Sequence, residues 1–338
     1  MKATIKDVAR VAGVSPSTVS RALHDSPRIS EKVRERVKQA AKELDFHPNQ
    51  MAKSLVSRKT RIVGIVFPGD VSKSLGNPFY PSLLQGLGRA AGERRYHLLL
   101  VTGGGEVSAE EVSRQAVDSG YVSGLVLLAA EDVPARDPGV PVVVIGHPRD
   151  EAGWHYVDND NVAAGYAATQ HLLKHGHRRI LLLGYDRRYI FTVDRRLGYE
   201  KALSEAGIGV RREWIVTGRP IQDPDAAEEL AAVFRAGNRP TAAVCMDDAL
   251  AIGLTGLLKG MGLEVPGDVS IVSFNNTDAG KYHIPALTSY EIDPYRLGMI
   301  AMHLMADVLK GVADAPQSIE VPFTLIERDS VAGAPASE

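Results

Sequence analysis

Apolar positions in the first 45 residues recur at the spacing of three short helices. The first helix has its apolar residues at i, i+3, i+4 and i+7, namely Ile5, Val8, Ala9 and Ala12. Gly13 tolerates positive φ and ends it, Ser15 can cap a second helix, and Pro16 lies at its first position, where a missing N–H costs nothing. Ser30 can cap a third helix, whose apolar face holds Val33, Val37, Ala40, Ala41 and Leu44. A helix, a glycine turn and a helix with a polar outer face form the helix–turn–helix pattern.

The second helix of such a unit enters the major groove of DNA with its N-terminus first. Ser and Thr side chains can bond phosphates or base edges, and one Arg can bond O6 and N7 of guanine in a bidentate contact. The alternative is an ordinary three-helix bundle with solvated polar faces. Charge favours DNA, because residues 1–60 hold 13 Lys and Arg against 6 Asp and Glu, whereas the remainder holds 26 against 35.

From Arg61 onward, short Val/Ile/Leu runs alternate with amphipathic helical patterns. Predicted strands are 62–67, 96–101, 124–129, 142–146, 179–184, 242–246 and 269–274. Predicted helices include 81–95, 107–119, 161–175, 194–206, 223–236 and 248–260. This alternation indicates an α/β fold with parallel sheets covered on both faces, whose ligands lie at the carboxyl ends of strands. So long a segment is large for one core and predicts two similar lobes.

Composition excludes several classes of protein. The 338 residues contain no run of eighteen apolar residues and no secretion signal, which predicts a cytoplasmic protein without a membrane span. Cys245 is the single cysteine and lies in an apolar run, which predicts a buried thiol. No cofactor fingerprint or P-loop is present, and Gly103–Gly105 is interpreted as a loop. The cluster of His171, His175 and His177 lacks a carboxylate or Cys, so we predict neither a metal nor a cofactor.

Three motifs in the N-terminal segment, TIKDVA, AGVSPSTVSRAL and HPNQMAKSL, resemble the DNA-binding headpiece of the lactose-repressor/galactose-repressor (LacI/GalR) family of bacterial transcription regulators. The resemblance places Pro16, Ser17 and Arg21 at base-reading positions and makes Thr18 and Ser20 phosphate contacts. The DNA-binding set that it implies is Thr4, Ser15, Pro16, Ser17, Thr18, Ser20, Arg21, Asn49, Lys53, Ser54 and Leu55.

The segment from Pro48 to Ser57 resembles the hinge helix of that family. The resemblance implies that it orders only when two copies pair over DNA, with Leu55 wedged between base pairs in the minor groove. The alternative is a plain linker whose Leu55 docks on the body. The domains expected are a headpiece at 1–48, a hinge and linker at 49–60, and an effector-binding and dimerisation domain at 61–338.

The body resembles the effector domain of the same family, which is similar to periplasmic sugar-binding proteins with two lobes and three crossovers. The motifs that carry this resemblance are NPFYPSLLQGL (77–87), VDNDNVAAG (157–165), DRRLGY (194–199), MDDALAIG (246–253), VSFNN (272–276) and VPFTLIERDSV (321–331). The first two, with IFTVDRRLGYEKAL, look closest to the maltose-operon regulators of Gram-positive bacteria.

A polar ligand in this body has six expected contacts. Arg195 can present two parallel N–H donors to vicinal hydroxyls or a carboxylate, and Phe79 and Tyr80 can stack on the C–H face of a sugar. The family spacing puts Asp247 at the cleft and makes Asp248 the first residue of a helix, although either Asp could be an N-cap. The family usually has Asp where this chain has Asn275, whose neutral amide can still bind a hydroxyl. Asp160 is also included among these residues, although capping of the helix and lobe closure are expected of it ahead of direct contact.

These observations predict a homodimeric regulator, usually a repressor in this family, that binds operator DNA and is controlled by a sugar of the maltose or maltodextrin type. The alternatives are a solute-binding protein without a DNA role, an α/β enzyme, or a regulator that answers to a purine, a nucleoside or a protein co-repressor. Neither the operator sequence nor the sign of the coupling follows from the sequence.

Overall fold

The computed structural model describes residues 3–23, 25–46, 60–67, 71–103, 107–128, 138–148, 153–218 and 221–335. The chain divides into two compact units, Met1–Thr60 and Arg61–Glu338. Each unit has hydrophobic clusters of its own.

The first unit is a bundle of three helices, α1 (Ile5–Ala12), α2 (Pro16–Leu23) and α3 (Glu31–Glu43). Its core consists of the apolar faces expected from the sequence, with Val8, Ala9, Ala12, Val19, Ala22, Val37, Ala40 and Ala41 buried. Gly13 adopts φ 62° and ends α1, while the Val14 N–H bonds to the Ala9 carbonyl at 3.0 Å. Ser30 precedes α3, but its side chain makes no capping hydrogen bond, so its predicted capping role is wrong.

The second unit contains two six-stranded sheets, which define its two lobes. The first lobe has the strand order β11-β5-β4-β3-β1-β2 and the second has the order β12-β10-β9-β8-β6-β7. All neighbouring strands are parallel except β10 and β12. The strands are β1 (Ile62–Val66), β2 (His97–Val101), β3 (Gly124–Leu128), β4 (Val142–Ile145), β5 (His155–Asp158), β6 (Ile180–Gly184), β7 (Ile215–Thr217), β8 (Ala242–Cys245), β9 (Ser270–Phe274), β10 (Thr288–Glu291), β11 (Ser318–Glu320) and β12 (Thr324–Ile326). The predicted α/β architecture is confirmed.

Nine helices within the described part of this unit cover the two sheets. They are α4 (Val71–Gly76), α5 (Phe79–Arg94), α6 (Ala109–Asp118), α7 (Asn161–Lys174), α8 (Ile190–Glu205), α9 (Pro224–Arg235), α10 (Asp248–Gly260), α11 (Asp278–Lys281) and α12 (Pro294–Val308), with a short 3-10 helix at Arg212–Trp214. Proline at the start of α9 and α12, and aspartate caps at Asp223 and Asp293, give both helices well-defined beginnings.

The chain passes between the lobes three times, after β5, after β10 and after β11. Helix α12 follows a strand of the second lobe but packs on α5 and β4 of the first. Asn159 joins the three crossings, because its buried amide donates to the Ile292 carbonyl at 3.1 Å and to the Val321 carbonyl at 2.7 Å. One side chain therefore ties together the three segments about which the lobes could move.

A closely packed helix pair supports each lobe. Gly86 of α5 faces Gly298 of α12, and a Cβ atom at either position would overlap the backbone of the facing helix. Gly165 of α7 and Gly198 of α8 form the equivalent contact in the second lobe. Only glycine permits this approach, and it brings α8, which carries Arg195, against the first turn of α7.

Candidate functional site

The outer face of α2 presents the residues predicted to read DNA. Val19 and Ala22 are buried against the bundle, whereas Ser17, Ser20 and Arg21 are exposed. Pro16 is exposed at the N-terminus of α2 and Thr18 is half-buried. The face that a major groove could contact is thus polar, as expected.

Ser15 holds the hydroxyl groups at the start of α2 in one cluster. Its Oγ accepts from the Thr18 N–H at 3.2 Å, which confirms that Ser15 caps the helix. The same Oγ lies 2.8 Å from Ser17 Oγ and 2.9 Å from Thr18 Oγ1. Three hydroxyl groups are therefore positioned together beside the N-terminal end of the helix, where backbone N–H groups and the helix dipole favour a phosphate.

Thr4 is engaged at the start of α1. Its N–H and its hydroxyl both donate to Asp7 Oδ2, at 3.0 and 2.7 Å, and these bonds lower the pKa of Asp7. Since a phosphate oxygen needs a donor, the predicted contact of Thr4 with DNA requires one of these bonds to break. The other predicted contacts, Asn49, Lys53, Ser54 and Leu55, lie outside the described residues.

A cleft-shaped cavity lies between the two lobes of the second unit, at the carboxyl ends of the strands, and holds about 720 Å³ of empty space, part of it open to solvent. The first lobe and the crossings contribute Asn77, Phe79, Tyr80, Leu83, Leu128, Ile145, Gly146, Asp158, Asn159, Asn161, Ile292 and Leu297. The second lobe contributes Tyr185, Ile190, Phe191, Arg195, Met246, Asp247 and Asn275. Five of the six predicted ligand contacts are therefore brought together here.

Asp247 follows β8 and links the two walls of the cavity. Its Oδ1 accepts from the Leu250 N–H at 2.8 Å and caps α10, while its Oδ2 accepts from Tyr185 at 2.5 Å and from Asn77 Nδ2 at 3.0 Å. Burial raises the pKa of Asp247 and the Tyr185 bond opposes the rise. Burial and the adjacent carboxylate also raise the pKa of Tyr185, so its hydroxyl stays a donor. The two roles weighed for Asp247, cap and cavity residue, are both fulfilled.

Arg195 is buried, and two of its N–H groups already donate to acceptors within the chain. It is 3% exposed, its Nε donates to Asn161 Oδ1 at 2.9 Å, and its Nη1 donates to the Met246 carbonyl at 2.7 Å. The guanidinium carbon lies 4.1 Å from the Phe274 ring centre. While these bonds hold, the fork of Nε and Nη2 is not free for a ligand, whereas Nη2 and the second N–H of Nη1 keep their donor capacity, so the predicted ligand contact of Arg195 stays a prediction. Burial lowers the pKa of Arg195 to about 10, against the opposing effect of Asp158 and Asp247.

Aromatic rings line both walls of the cavity. Phe79 and Tyr80 meet edge to face at 5.2 Å between ring centres. On the opposite wall, Tyr185 and Phe191 line the cavity and form a second group with Tyr189, with ring centres 5.7–6.2 Å apart. Two aromatic groups beside carboxylate and amide oxygens suit a ligand with apolar faces and a polar rim. The sequence indicated only the first group.

Asn275 faces the cavity without a hydrogen bond from its amide to any other described residue. Its backbone adopts φ 90°, and its N–H bonds to the Tyr290 carbonyl at 2.9 Å. Asn tolerates this left-handed conformation better than most residues. Its side chain is consequently the amide with the most hydrogen-bonding capacity left for a ligand.

Asp160 does not line the cavity. It is exposed and its Oδ1 accepts from the Ala163 N–H at 2.8 Å, so it caps α7, which is the role expected of it ahead of direct contact. Asp158, Asn159 and Asn161 line the cavity instead. All three lie in the VDNDN motif, but their polar character gave no indication of which would face inward. Burial raises the pKa of Asp158 to about 6.

Other candidate sites receive little support. No group of three or more His, Cys, Asp or Glu positioned to hold a metal occurs among the described residues. Cys245 is buried, and burial raises the pKa of its thiol. In the described part of the chain, no helix is both long enough and apolar enough to cross a membrane.

The fold and the cavity define a class of protein: a helix–turn–helix unit followed by a body that resembles periplasmic binding proteins. Residues 4–49 match the family described as "Bacterial regulatory proteins, lacI family", and residues 169–331 match the "Periplasmic binding protein-like domain". The chain belongs to the LacI family of bacterial transcriptional regulators.

Individual relatives match along nearly their whole length. The HTH-type transcriptional regulator MalR of Streptococcus pneumoniae serotype 4 is 32% identical over 317 residues, which cover 91% of this chain and 93% of the relative. The HTH-type transcriptional repressor PurR of Erwinia tasmaniensis is 30% identical over 340 residues and 98% of both chains. These relatives are transcriptional regulators, in agreement with the predicted class.

Solved structures share the architecture. A complex of the transcriptional regulator CelR with cellobiose has a TM-score of 0.74 and 30% identity, covering 97% of this chain and 99% of that one. The Lac repressor dimer bound to operator and the anti-inducer ONPF has a TM-score of 0.81 at 22% identity, covering 98% and 100%. At that identity the second likeness concerns the fold alone.

Proposed function

We propose that this protein is a sequence-specific transcriptional regulator whose affinity for operator DNA is controlled by a small sugar. The observation that carries the proposal is the two-walled aromatic cavity, with Asn275 and Asp247 as polar contacts, in a chain that also holds an exposed helix–turn–helix face. Aromatic rings can pack on the C–H faces of a sugar while amide and carboxylate oxygens bind its hydroxyl groups.

We infer a sugar of the maltose or maltodextrin type as the first candidate. The motifs NPFYPSLLQGL and VDNDNVAAG support it through their resemblance to maltose-operon regulators. Cellobiose is the second candidate, because the CelR structure of 30% identity contains it. Guanine is a control for the purine alternative.

Cavity closure supplies a route from ligand to DNA. Asn77 of the first lobe donates to Asp247 of the second, so a ligand hydroxyl that replaces this bond changes how the lobes are held. Asn159 joins the three crossings, which are the segments of chain that connect the lobes. A ligand that binds one lobe arrangement more tightly shifts the population towards it and changes operator affinity by the same coupling free energy.

We infer a homodimer, in which two headpieces read two half-sites. Large apolar side chains on the surface of the second unit support a second copy as their partner. These include Leu99 and Leu100 on β2, with Tyr282 at 73% and Ile284 at 90% exposure. β2 is also the edge strand of the first-lobe sheet, so its outer backbone groups lie beside Leu99 and Leu100.

Ligand binding is tested by thermal unfolding with maltose, maltotriose, cellobiose, glucose and guanine. We expect a maltose-type sugar to raise the midpoint, since a ligand at a hundred times its Kd adds about 2.7 kcal/mol. Asn275→Gly tolerates φ 90° and removes the free amide, so it should weaken this sugar about tenfold. Asn238→Gly, at an exposed asparagine, is the control. Stabilisation by guanine alone would contradict a sugar ligand.

The DNA-binding role is tested with an operator selected from a random library. Arg21→Ala should weaken the best sequence by ~1–3 kcal/mol and relax the preference at one base pair. Arg36→Ala removes an exposed charge from α3 and should weaken all sequences alike. Equal losses on every operator variant in Arg21→Ala would exclude a base-reading role for Arg21. Failure to enrich any sequence from the library would contradict the proposal that the protein is a sequence-specific DNA-binding regulator.

A further inference from the structure

Acidic groups outnumber basic groups around the cavity. Among the described residues that line it, the carboxylates are Asp158 and Asp247, and Arg195 is the cation. Asp194, half-buried beside Arg195, adds a third carboxylate to the field that acts on the guanidinium. An anionic ligand would therefore enter a site with an excess of carboxylates, whose cation, Arg195, is buried and already faces them.

The cation offers an anion only part of its donor capacity. Nε of Arg195 donates to Asn161 and one Nη1 N–H donates to the Met246 carbonyl, so the fork of Nε and Nη2 is not free. The N–H groups that remain, on Nη1 and Nη2, lie in the field of Asp158, Asp247 and Asp194, which already compensate the positive charge.

Helix N-termini, the other common anion sites, are largely satisfied by the chain itself. Asp247 caps α10, and Asn77 Oδ1 accepts from the Phe79 N–H at 3.0 Å at the start of α5. The start of α8 lacks a side-chain cap, but Asp194 lies in its second turn. Oxygen acceptors thus face the cavity where an anion would need donors.

We propose that the cavity selects uncharged polyhydroxyl ligands and rejects their phosphate esters, with Asp158 and Asp247 as the residues that enforce the selection. Hydroxyl groups can donate to these carboxylates, whereas a phosphate ester, with close to two negative charges at neutral pH, can only accept. The inference rests on the ligand-binding role proposed above and narrows its chemical class.

The test is calorimetric titration at pH 7.5 with three matched pairs: maltose and maltose 6′-phosphate, cellobiose and cellobiose 6′-phosphate, and trehalose and trehalose 6-phosphate. For the sugar that binds, we expect its ester to bind at least 100-fold more weakly. In Asp158→Asn the ratio of the two Kd values should shrink at least tenfold. Asp160→Asn removes the same charge from an exposed residue in the same motif and still caps α7, so it should leave the ratio unchanged.

Asp247→Asn is the second variant, because Asn also caps a helix and the neutral side chain removes the other carboxylate. This variant should also lower the ratio of the Kd of the ester to the Kd of the parent sugar. It keeps the proposal testable if Asp158→Asn does not fold. An ester that binds as tightly as its parent sugar, or a ratio unchanged in both variants, would overturn the selection. So would a protein that binds none of the three sugars.

Operator binding, measured in parallel, distinguishes a failure of the proposed ligand selection from a failure of the proposed role as a DNA-binding regulator. Tight binding of an ester together with intact operator affinity would overturn the proposed selection against phosphate esters, while the proposed role as a DNA-binding regulator would remain supported. Selective binding of the uncharged sugar without any operator affinity would support the selection while contradicting the regulator.

Discussion

Replacement of Arg195 by Ala is expected to lower the free energy of unfolding of the second unit by ~3–5 kcal/mol and to abolish stabilisation by the ligand. The guanidinium is the buried cation facing Asp158 and Asp247 and the donor to the Met246 carbonyl. Its removal leaves two carboxylates without a counter-charge and two acceptors, Asn161 Oδ1 and the Met246 carbonyl, without their donor. The decrease in the free energy of unfolding should therefore be larger than expected for a residue that only contacts the ligand.

The loss should depend on pH in a defined direction. In the folded protein, the pKa of Asp158 is raised to about 6, and removal of the cation would raise it further. Below that pH the carboxyl binds a proton in the folded state, and the uncompensated charge disappears. The destabilisation by Arg195→Ala should consequently be smaller at pH 5 than at pH 8.

Urea unfolding followed by tryptophan fluorescence measures this effect in the right part of the chain, because both tryptophans, Trp154 and Trp214, lie in the second unit. Arg196→Ala is the matched control on the same helix. Arg196 pairs with Glu200 at 2.6 Å near the surface, and its loss should cost less than ~1 kcal/mol. Similar losses in the two variants would show that Arg195 does not compensate the buried carboxylates.

Much of the fold was predictable because strands buried on both faces are nearly continuous apolar runs. IVGIV, GLVLL and ILLLG form interior strands of their sheets and are found within a residue of the predicted bounds. Five strands were absent from the prediction, namely β5, β7, β10, β11 and β12. Each is only three or four residues long and none contains a continuous apolar run; β10, although mostly buried, reads TSYE. Helix α12 was absent as well, since contacts on several sides leave it little polar face to reveal its period.

The cavity was predictable only in part. Asp247 and Asn275 could be found because they lie within two residues of the ends of strands whose carboxyl ends meet at one edge. Sequence could not show that Asn161 and Met246 use two donors of Arg195, since that depends on how α7 and β8 approach α8. Proximity of this kind arises from tertiary packing and leaves no local pattern.

Aromatic residues illustrate the same limit. Tyr185 and Phe191 lie in and just after the loop that follows β6, where no hydrophobic period distinguishes a cavity residue from a solvent-exposed one. Phe79 and Tyr80 were identified because their motif resembles that of the family. Recognition of a motif therefore located one wall of the cavity, and packing was needed to locate the other.

Asp248→Ala is expected to destabilise the second unit by ~3–5 kcal/mol without altering the residues that line the cavity. Asp248 is 1% exposed and its carboxylate accepts four hydrogen bonds. Ser273 and Ser289 donate to Oδ1 at 2.5 and 2.8 Å, and the N–H and hydroxyl of Thr277 donate to Oδ2 at 2.6 and 2.8 Å. One side chain thus joins the start of α10 to β9, β10 and the start of α11.

Alanine at position 248 would leave these donors buried without an acceptor, whereas Asp248→Asn keeps one oxygen and should recover part of the loss. Asp223→Ala is the control, because Asp223 is a partly exposed cap of α9 in the same lobe and its loss should cost about 1 kcal/mol. Urea unfolding of the three variants should rank them Asp248→Ala, Asp248→Asn, Asp223→Ala, from most to least destabilised. If Asp248→Ala and Asp223→Ala unfolded at the same urea concentration, Asp248 would be an ordinary helix-start residue, and the stability of the second lobe would rest on its apolar core alone.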